Sequence, residues 1–139
     1  MSDAEVPVFF YGLFMDETLL ASKEVRATRI GIGYADAFEL RIGERATLVS
    51  CPGARAWGVL MKVPKDQLCA LYAGPGVADY VAETIAVTVP GSTPVSARCY
   101  NLPADKLAGA NPRYAVALLE LAVALDFPEG YREHIQGFA

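Results

Sequence analysis

The sequence predicts an α+β fold: a mostly antiparallel, barrel-like sheet with helices packed against it. Three patterns lead there. Residues 6–11 form a short, unbroken apolar run, as in strands buried on both faces, which puts this strand near the middle of a sheet. Trp57, Val59, Met61 and Val63 alternate with smaller or polar residues, the period of a strand. Tyr114, Ala117, Leu118, Leu121 and Leu125 recur at helical spacing, so at least one long helix has an apolar stripe to bury.

The remaining elements follow in order. Residues 16–23 suit a short helix that Asp16 and Glu17 cap or open. Residues 28–34 and 37–42 read as two strands meeting at Ala35-Asp36, and in the second Phe38, Leu40 and Ile42 share one face. Gly43-Glu44-Arg45 makes a turn, residues 46–49 a further strand, and Cys51-Pro52-Gly53 another turn before the strand through Trp57. Pro64 suits the first turn of a helix through Leu68 and Leu71, which Gly74-Pro75-Gly76 ends. Residues 80–89 and 94–100 pair as a hairpin about Pro90-Gly91-Ser92. Asn111 caps the long helix with Pro112 at its first position, and a last short helix covers 131–136.

Composition bounds the function. A chain of 139 residues is long enough to bury a real core and is expected to form one domain, 1–139. With 53% hydrophobic and 20% charged residues it reads as a compact soluble protein. The net charge of -4 and the lack of any Lys/Arg run argue against a nucleic-acid partner. The longest apolar stretch, 114–125, is interrupted by Glu120 and is shorter than the ~20 residues that span a bilayer, so no membrane partner is expected. The acidic start Met1-Ser2-Asp3-Ala4-Glu5 is unlike a secretory signal, and the expected location is cytoplasmic. Cys51, Cys69 and Cys99 are widely spaced, and His134 is the only histidine. A disulfide framework, a zinc site, a histidine-based metal site and a serine–histidine triad are therefore not signalled, and no metal or other cofactor is expected.

The segment richest in functional signal is Val8-Phe9-Phe10-Tyr11-Gly12-Leu13-Phe14-Met15-Asp16. An apolar strand that runs into glycine and then turns polar can leave backbone N–H groups facing a cleft, where they bind anionic or carbonyl groups. Tyr11-Gly12-Leu13-Phe14-Met15 also resembles the Tyr-Gly-Ser/Thr-Leu-Met signature of the gamma-glutamylcyclotransferase-like proteins, which include the plant avirulence-induced proteins. Further landmarks fall in the same order. Trp57-Gly58-Val59-Leu60 is similar to the family's V-x-G-x-L strand, residues 68–71 to the helix after it, and 76–80 to the loop before the next strand. Asn111-Pro112-Arg113-Tyr114 and Pro128-Glu129-Gly130-Tyr131 resemble the C-terminal helix and the turn beyond it. The resemblance implies a gamma-glutamylcyclotransferase-like fold over nearly the whole chain.

It also implies a chemistry. Members of that family cut gamma-glutamyl amides by letting the substrate's own α-amine attack the γ-carbonyl, which closes the 5-oxoproline ring and releases an amine. Such intramolecular attack reaches effective molarities of ~10⁵–10⁸ M. The protein then supplies donors for the developing oxyanion and for the substrate carboxylate, and one carboxylate to move a proton. By resemblance Tyr11, Gly12, Leu13 and Phe14, with Tyr114 from the long helix, are the substrate-binding residues. The family's acid–base glutamate stands in a Glu-Gly pair after the middle helix, where this chain has Gly74-Pro75-Gly76, so that Pro75 occupies the glutamate position. Leu13 likewise stands where the signature has a hydroxyl.

Strand alternation offers a replacement. Val81, Glu83, Ile85, Val87 and Val89 share a face, so Glu83 is a lone carboxylate among apolar neighbours, where a raised pKa suits proton transfer. The alternative is that Glu83 turns to solvent at a sheet edge or pairs with an arginine such as Arg98. Asp79 is a second substitute. Tyr11, Tyr114 and Trp57 each also fit a plain packing role, and His134 a solvated one. Two functions stay open: a cyclotransferase acting on a gamma-glutamyl amide with Glu83 as base, and a non-catalytic, small-molecule-binding or regulatory module of the same fold. A homodimer through apolar surfaces is compatible with both.

Overall fold

In the computed structural model, which describes residues 4–74 and 77–139, the N-terminal apolar run is β1 (Glu5–Phe10). On one side it is flanked by β3 (Ala46–Pro64) and then β2 (Thr28–Ile42), on the other by β5 (Val95–Asn101) and then β4 (Val81–Val87), giving the order β2-β3-β1-β5-β4. Val8, Phe9 and Phe10 are almost wholly buried, as an unbroken apolar strand in a central position must be. All neighbours are antiparallel except β1 and β5, which run parallel. Tyr34 and Thr88 exchange two backbone hydrogen bonds of 2.9 Å each, which stitch β2 to the end of β4 and close the sheet into a barrel-like form.

The sequence divides residues 28–42 into two strands; the structure has one, bent near the expected division. Ala37 sits at φ 66°, and the register with β3 shifts between Asp36 and Phe38. On β3, Ser50 pairs with Phe38 and Arg55 with Asp36, so residues 51–54 bulge against Ala37. The Cys51-Pro52-Gly53 turn is this bulge inside one long strand. The bulge bends both partners together, which lets a 15-residue and a 19-residue strand wrap the core.

Helices fill the gaps at the barrel's ends and side. The Asp16 carboxylate accepts from the Thr18 and Leu19 amides at 2.9 and 3.4 Å and caps α1 (Glu17–Ser22). α2 (Lys65–Leu71) follows β3 directly, with Pro64 at the cap and Leu68 and Leu71 buried. In α3 (Pro112–Ala124), Asn111 Oδ1 caps the Tyr114 amide at 3.1 Å, and Ala115, Leu118 and Ala122 face the core. α4 (Glu129–Gln136) starts two residues before the expected 131, because Pro128 takes the cap and Glu129 the favourable acidic first turn. Trp57 is a packing residue, half-buried between Tyr34 and Phe127 at ring distances of 5.1 and 6.2 Å. His134 is not solvated as expected: its Nε2 lies 2.7 Å from the Leu40 carbonyl oxygen and pins α4 to β2. No helix among the described residues is long and apolar enough to cross a membrane.

Two buried polar residues tie the β3 start to the β5 end. Thr47 Oγ1 accepts from the Leu102 amide at 2.9 Å, and Asn101 Oδ1 accepts from the Leu48 amide at 3.2 Å. Thr47→Val keeps the shape and removes the acceptor, leaving the buried Leu102 N–H without a partner. The variant is expected to lose ~1–3 kcal/mol of stability, read from urea unfolding midpoints.

Candidate functional site

At the C-terminal end of β1 the chain passes through Tyr11 and Gly12 into a 3₁₀ turn, Leu13–Met15, closed by bonds from the Met15 and Asp16 amides to the Gly12 and Leu13 carbonyls, 3.0 Å each. Tyr11 is buried, and its hydroxyl donates to the Tyr100 carbonyl at 2.6 Å, bolting the strand end to β5. Tyr114, from the first turn of α3, reaches across to the turn, where its hydroxyl accepts the Leu13 N–H at 3.2 Å. Gly12 makes that approach possible, because a Cβ there would occupy the place of the Tyr114 hydroxyl oxygen.

Around this turn lies a cavity of about 300 Å³. Tyr11, Gly12, Leu13, Phe14 and Tyr114, the five residues expected to bind substrate, all lie on its wall, with Tyr72 and Tyr80 completing an aromatic lining. Tyr72 stacks on Tyr100 at 3.8 Å with rings 7° apart, and Phe14 meets Tyr72 edge-on at 5.7 Å. Tyr80 donates its hydroxyl proton to the Ala46 carbonyl at 2.5 Å. Burial is the leading cause that pushes the phenols of Tyr11, Tyr72, Tyr80 and Tyr114 above their ordinary pKa, so all four stay protonated at neutral pH. Tyr11 and Tyr80 spend their protons on backbone carbonyls, Tyr114 accepts from Leu13, and all four form neutral wall.

Charge enters the wall at Lys23, Glu44 and Arg45. Arg45 pairs with Asp79 at 3.0 Å, which ties the β2–β3 turn to the segment before β4. Glu44 is the one carboxylate among the described residues of the wall. The sequence marks 43–45 as a turn and no more; two charges on a turn between two strands are the one trace of Glu44 there, and too common a feature to single it out.

Glu83 is placed otherwise than expected. It is exposed on β4, opposite Cys99, and forms no part of the cavity wall. The reason is topological: β4 is the outermost strand, and the apolar face of the alternation is covered only from Ile85 onward, while Val81, two residues before Glu83, is 56% exposed. Arg98 lies opposite Thr84 rather than Glu83. Asp79 stands next to the site, held by Arg45. Pro75 and Gly76 lie outside the described residues. Among those described, no three His, Cys, Asp or Glu side chains are gathered as metal ligands would be. Cys99 is buried, and burial, followed by the Glu83 carboxylate, pushes its thiol up to about 12.

No protein-family profile and no curated protein sequence matches the chain. Solved structures do. One named gamma-glutamyl cyclotransferase superposes with a TM-score of 0.82 at 20% identity, over 98% of this chain and 89% of that one. An uncharacterized protein from Homo sapiens gives 0.83 at 21% identity over 97% and 88%, and an AIG2-like protein from Mus musculus 0.57 at 20% over 79% and 82%. These likenesses show that the fold is gamma-glutamylcyclotransferase-like.

Two outcomes test the geometry. Gly12→Ala is expected to cost ~1–3 kcal/mol by forcing the α3 end away from the turn. In a Tyr114→Phe background, which removes the obstructing oxygen, the same change costs less, so a double-mutant cycle of unfolding free energies gives a coupling above ~0.5 kcal/mol. The phenols titrate higher in the folded state than in the unfolded one. Their contribution is thus complete below about pH 10 and declines as pH rises above it. Phenolate absorbance of these tyrosines should therefore appear together with loss of the near-ultraviolet circular dichroism, and not before it.

Proposed function

We propose that the chain is a cyclotransferase that takes a gamma-glutamyl amide into the Tyr11–Tyr114 cavity and releases 5-oxoproline and an amine. The observation that carries this reading is the junction of the Gly12–Leu13 backbone with the Tyr114 hydroxyl on the wall of an aromatic cavity whose charged residues are of both signs. A gamma-glutamyl group is a zwitterion with an apolar stem. Lys23 and Arg45 suit its carboxylate, Glu44 its ammonium, and the aromatic wall formed by Phe14, Tyr72 and Tyr80 its stem and the amine portion.

The reaction needs little more than this. The neutral α-amine, after losing a proton to solvent, adds to the γ-carbonyl carbon and forms the ring C–N bond. The oxyanion is met by the Tyr114 hydroxyl, which accepts the Leu13 N–H and has its own proton to give, the added nitrogen gives up its second proton, and the leaving nitrogen receives one as the amide C–N bond breaks. The protein's contribution is to hold the folded substrate with amine and carbonyl in contact, which is where the rate arises.

A second reading, a binding module without turnover, is favoured by Pro75, which by the sequence resemblance stands at the family's glutamate position. The two separate on one experiment. Full-length protein is incubated with γ-glutamylalanine, γ-glutamylphenylalanine and γ-glutamylbenzylamine, 5-oxoproline is quantified, and binding of each amide is followed by calorimetry. Release of 5-oxoproline above the protein-free rate, with the aromatic amides preferred, is the expected result. Saturable binding with no product supports the module, and neither binding nor product removes both readings.

A further inference from the structure

We propose that Glu44, on the turn between β2 and β3, is the group that moves the proton in this cavity. The inference rests on the cyclotransferase reading and adds to it a catalytic residue at a place in the fold where the family resemblance puts none.

The proton must go from the attacking nitrogen to the leaving nitrogen, so the group has to accept it and return it. Among the described residues of the wall the choices are few. The tyrosines are buried and hold their protons, Lys23 and Arg45 are cations, and the rest, Glu44 apart, have no titratable side chain. Glu44 alone is a carboxylate, the usual group for such a shuttle after histidine. Glu83 and Asp79 are off the wall, the first on the outermost strand and the second paired with Arg45.

The position is a built one. The Glu44 amide donates to the Ala108 carbonyl at 2.8 Å, and its own carbonyl accepts from Asn111 Nδ2 at 3.2 Å. The turn is closed by a 3.0 Å bond from the Gly43 amide to the Arg45 carbonyl. On the side-chain stem rests Gly109, at φ +75°, where a Cβ would lie 2.7 Å from Glu44 Cγ. Asn111 is also the residue that caps α3 and so sets Tyr114. One side chain therefore holds the backbone of Glu44 and the helix start of Tyr114 in a common frame, which is what a proton carrier facing a bound substrate requires.

In the step itself, one Glu44 oxygen takes the proton from the ring nitrogen after C–N bond formation. The resulting carboxylic acid gives that proton to the departing amide nitrogen as its bond to carbon breaks. The amine leaves, and Glu44 is a carboxylate again. No oxidant or further reactant enters.

The test uses γ-glutamylbenzylamine with the full chain. Glu44→Gln is expected to lower kcat by ~10²-fold or more and to raise KM by a smaller factor, since it keeps the shape but removes both the basic oxygen and the charge that faces the ammonium. Glu44→Asp retains part of the activity, and formate restores part of it to Glu44→Ala, whereas Glu83→Gln turns over like the wild type. Thermal unfolding of each variant checks that the fold persists. Undiminished turnover by Glu44→Gln overturns the assignment while leaving the cyclotransferase reading intact. A wild type that binds the amide and forms no 5-oxoproline overturns both.

Discussion

The site depends on one contact: the Tyr114 hydroxyl seated against Gly12 and accepting the Leu13 amide. β1 and α3 are 101 residues apart at this point, and nothing local in either segment dictates that they meet. The contact is possible only because Gly12 has no side chain. It is maintained because the Leu13 N–H, at the start of a 3₁₀ turn, has no acceptor within that turn. Asn111 extends the constraint. Its Oδ1 caps the Tyr114 amide while its Nδ2 holds the Glu44 carbonyl, so the helix start, the β2–β3 turn and the β1 end are tied into one unit.

A second layer of the structure keeps that unit in place. Tyr11 is bolted to the Tyr100 carbonyl and Tyr80 to the Ala46 carbonyl, so the hydroxyls that enter the cavity region are used to join strands of the barrel. A buried phenol without an acceptor would cost free energy; each of these two has one. The consequence is electrostatic as well as mechanical. Burial keeps these phenols neutral, so the polarity of the cavity is set by the backbone and by Lys23, Glu44 and Arg45, the charged residues in its wall.

Much of the fold was legible because it is written in short-range pattern. The unbroken apolar run of β1, the Asn111-Pro112 start of α3 and the hairpin of β4 and β5 are each specified by residues within a few positions of one another. The long strands were legible only in pieces. Alternation is lost at Ala37 and over 51–54, where one residue faces four, and a period of two cannot be read through such a bulge. Tyr11, Gly12, Leu13 and Phe14 lie at the cavity because they follow directly on the central strand, and Tyr114 joins them through its contact with Gly12 and Leu13. Glu83 lies off the cavity wall for the opposite reason. Alternation tells which residues share a face and says nothing about how far along the strand that face is covered.

Glu44 was illegible for a physical reason that bears on how such sites are built. A turn between strands carries charged residues for solubility as often as for chemistry, and only the long-range backbone bonds to Ala108 and Asn111 fix this one at the cavity rim. If the largest part of the acceleration comes from folding the substrate onto itself, the proton carrier is the least position-bound element of the site. It has to reach two nitrogens of one small ligand, and any rigid backbone at the rim satisfies that. The turn between β2 and β3 is such a place, and Arg45 and Asp79 join it to the segment leading into β4. On the cyclotransferase proposal a carboxylate could thus move between supports while the Gly12–Tyr114 contact could not, because the contact would fix where the substrate lies and the carboxylate would only serve it there.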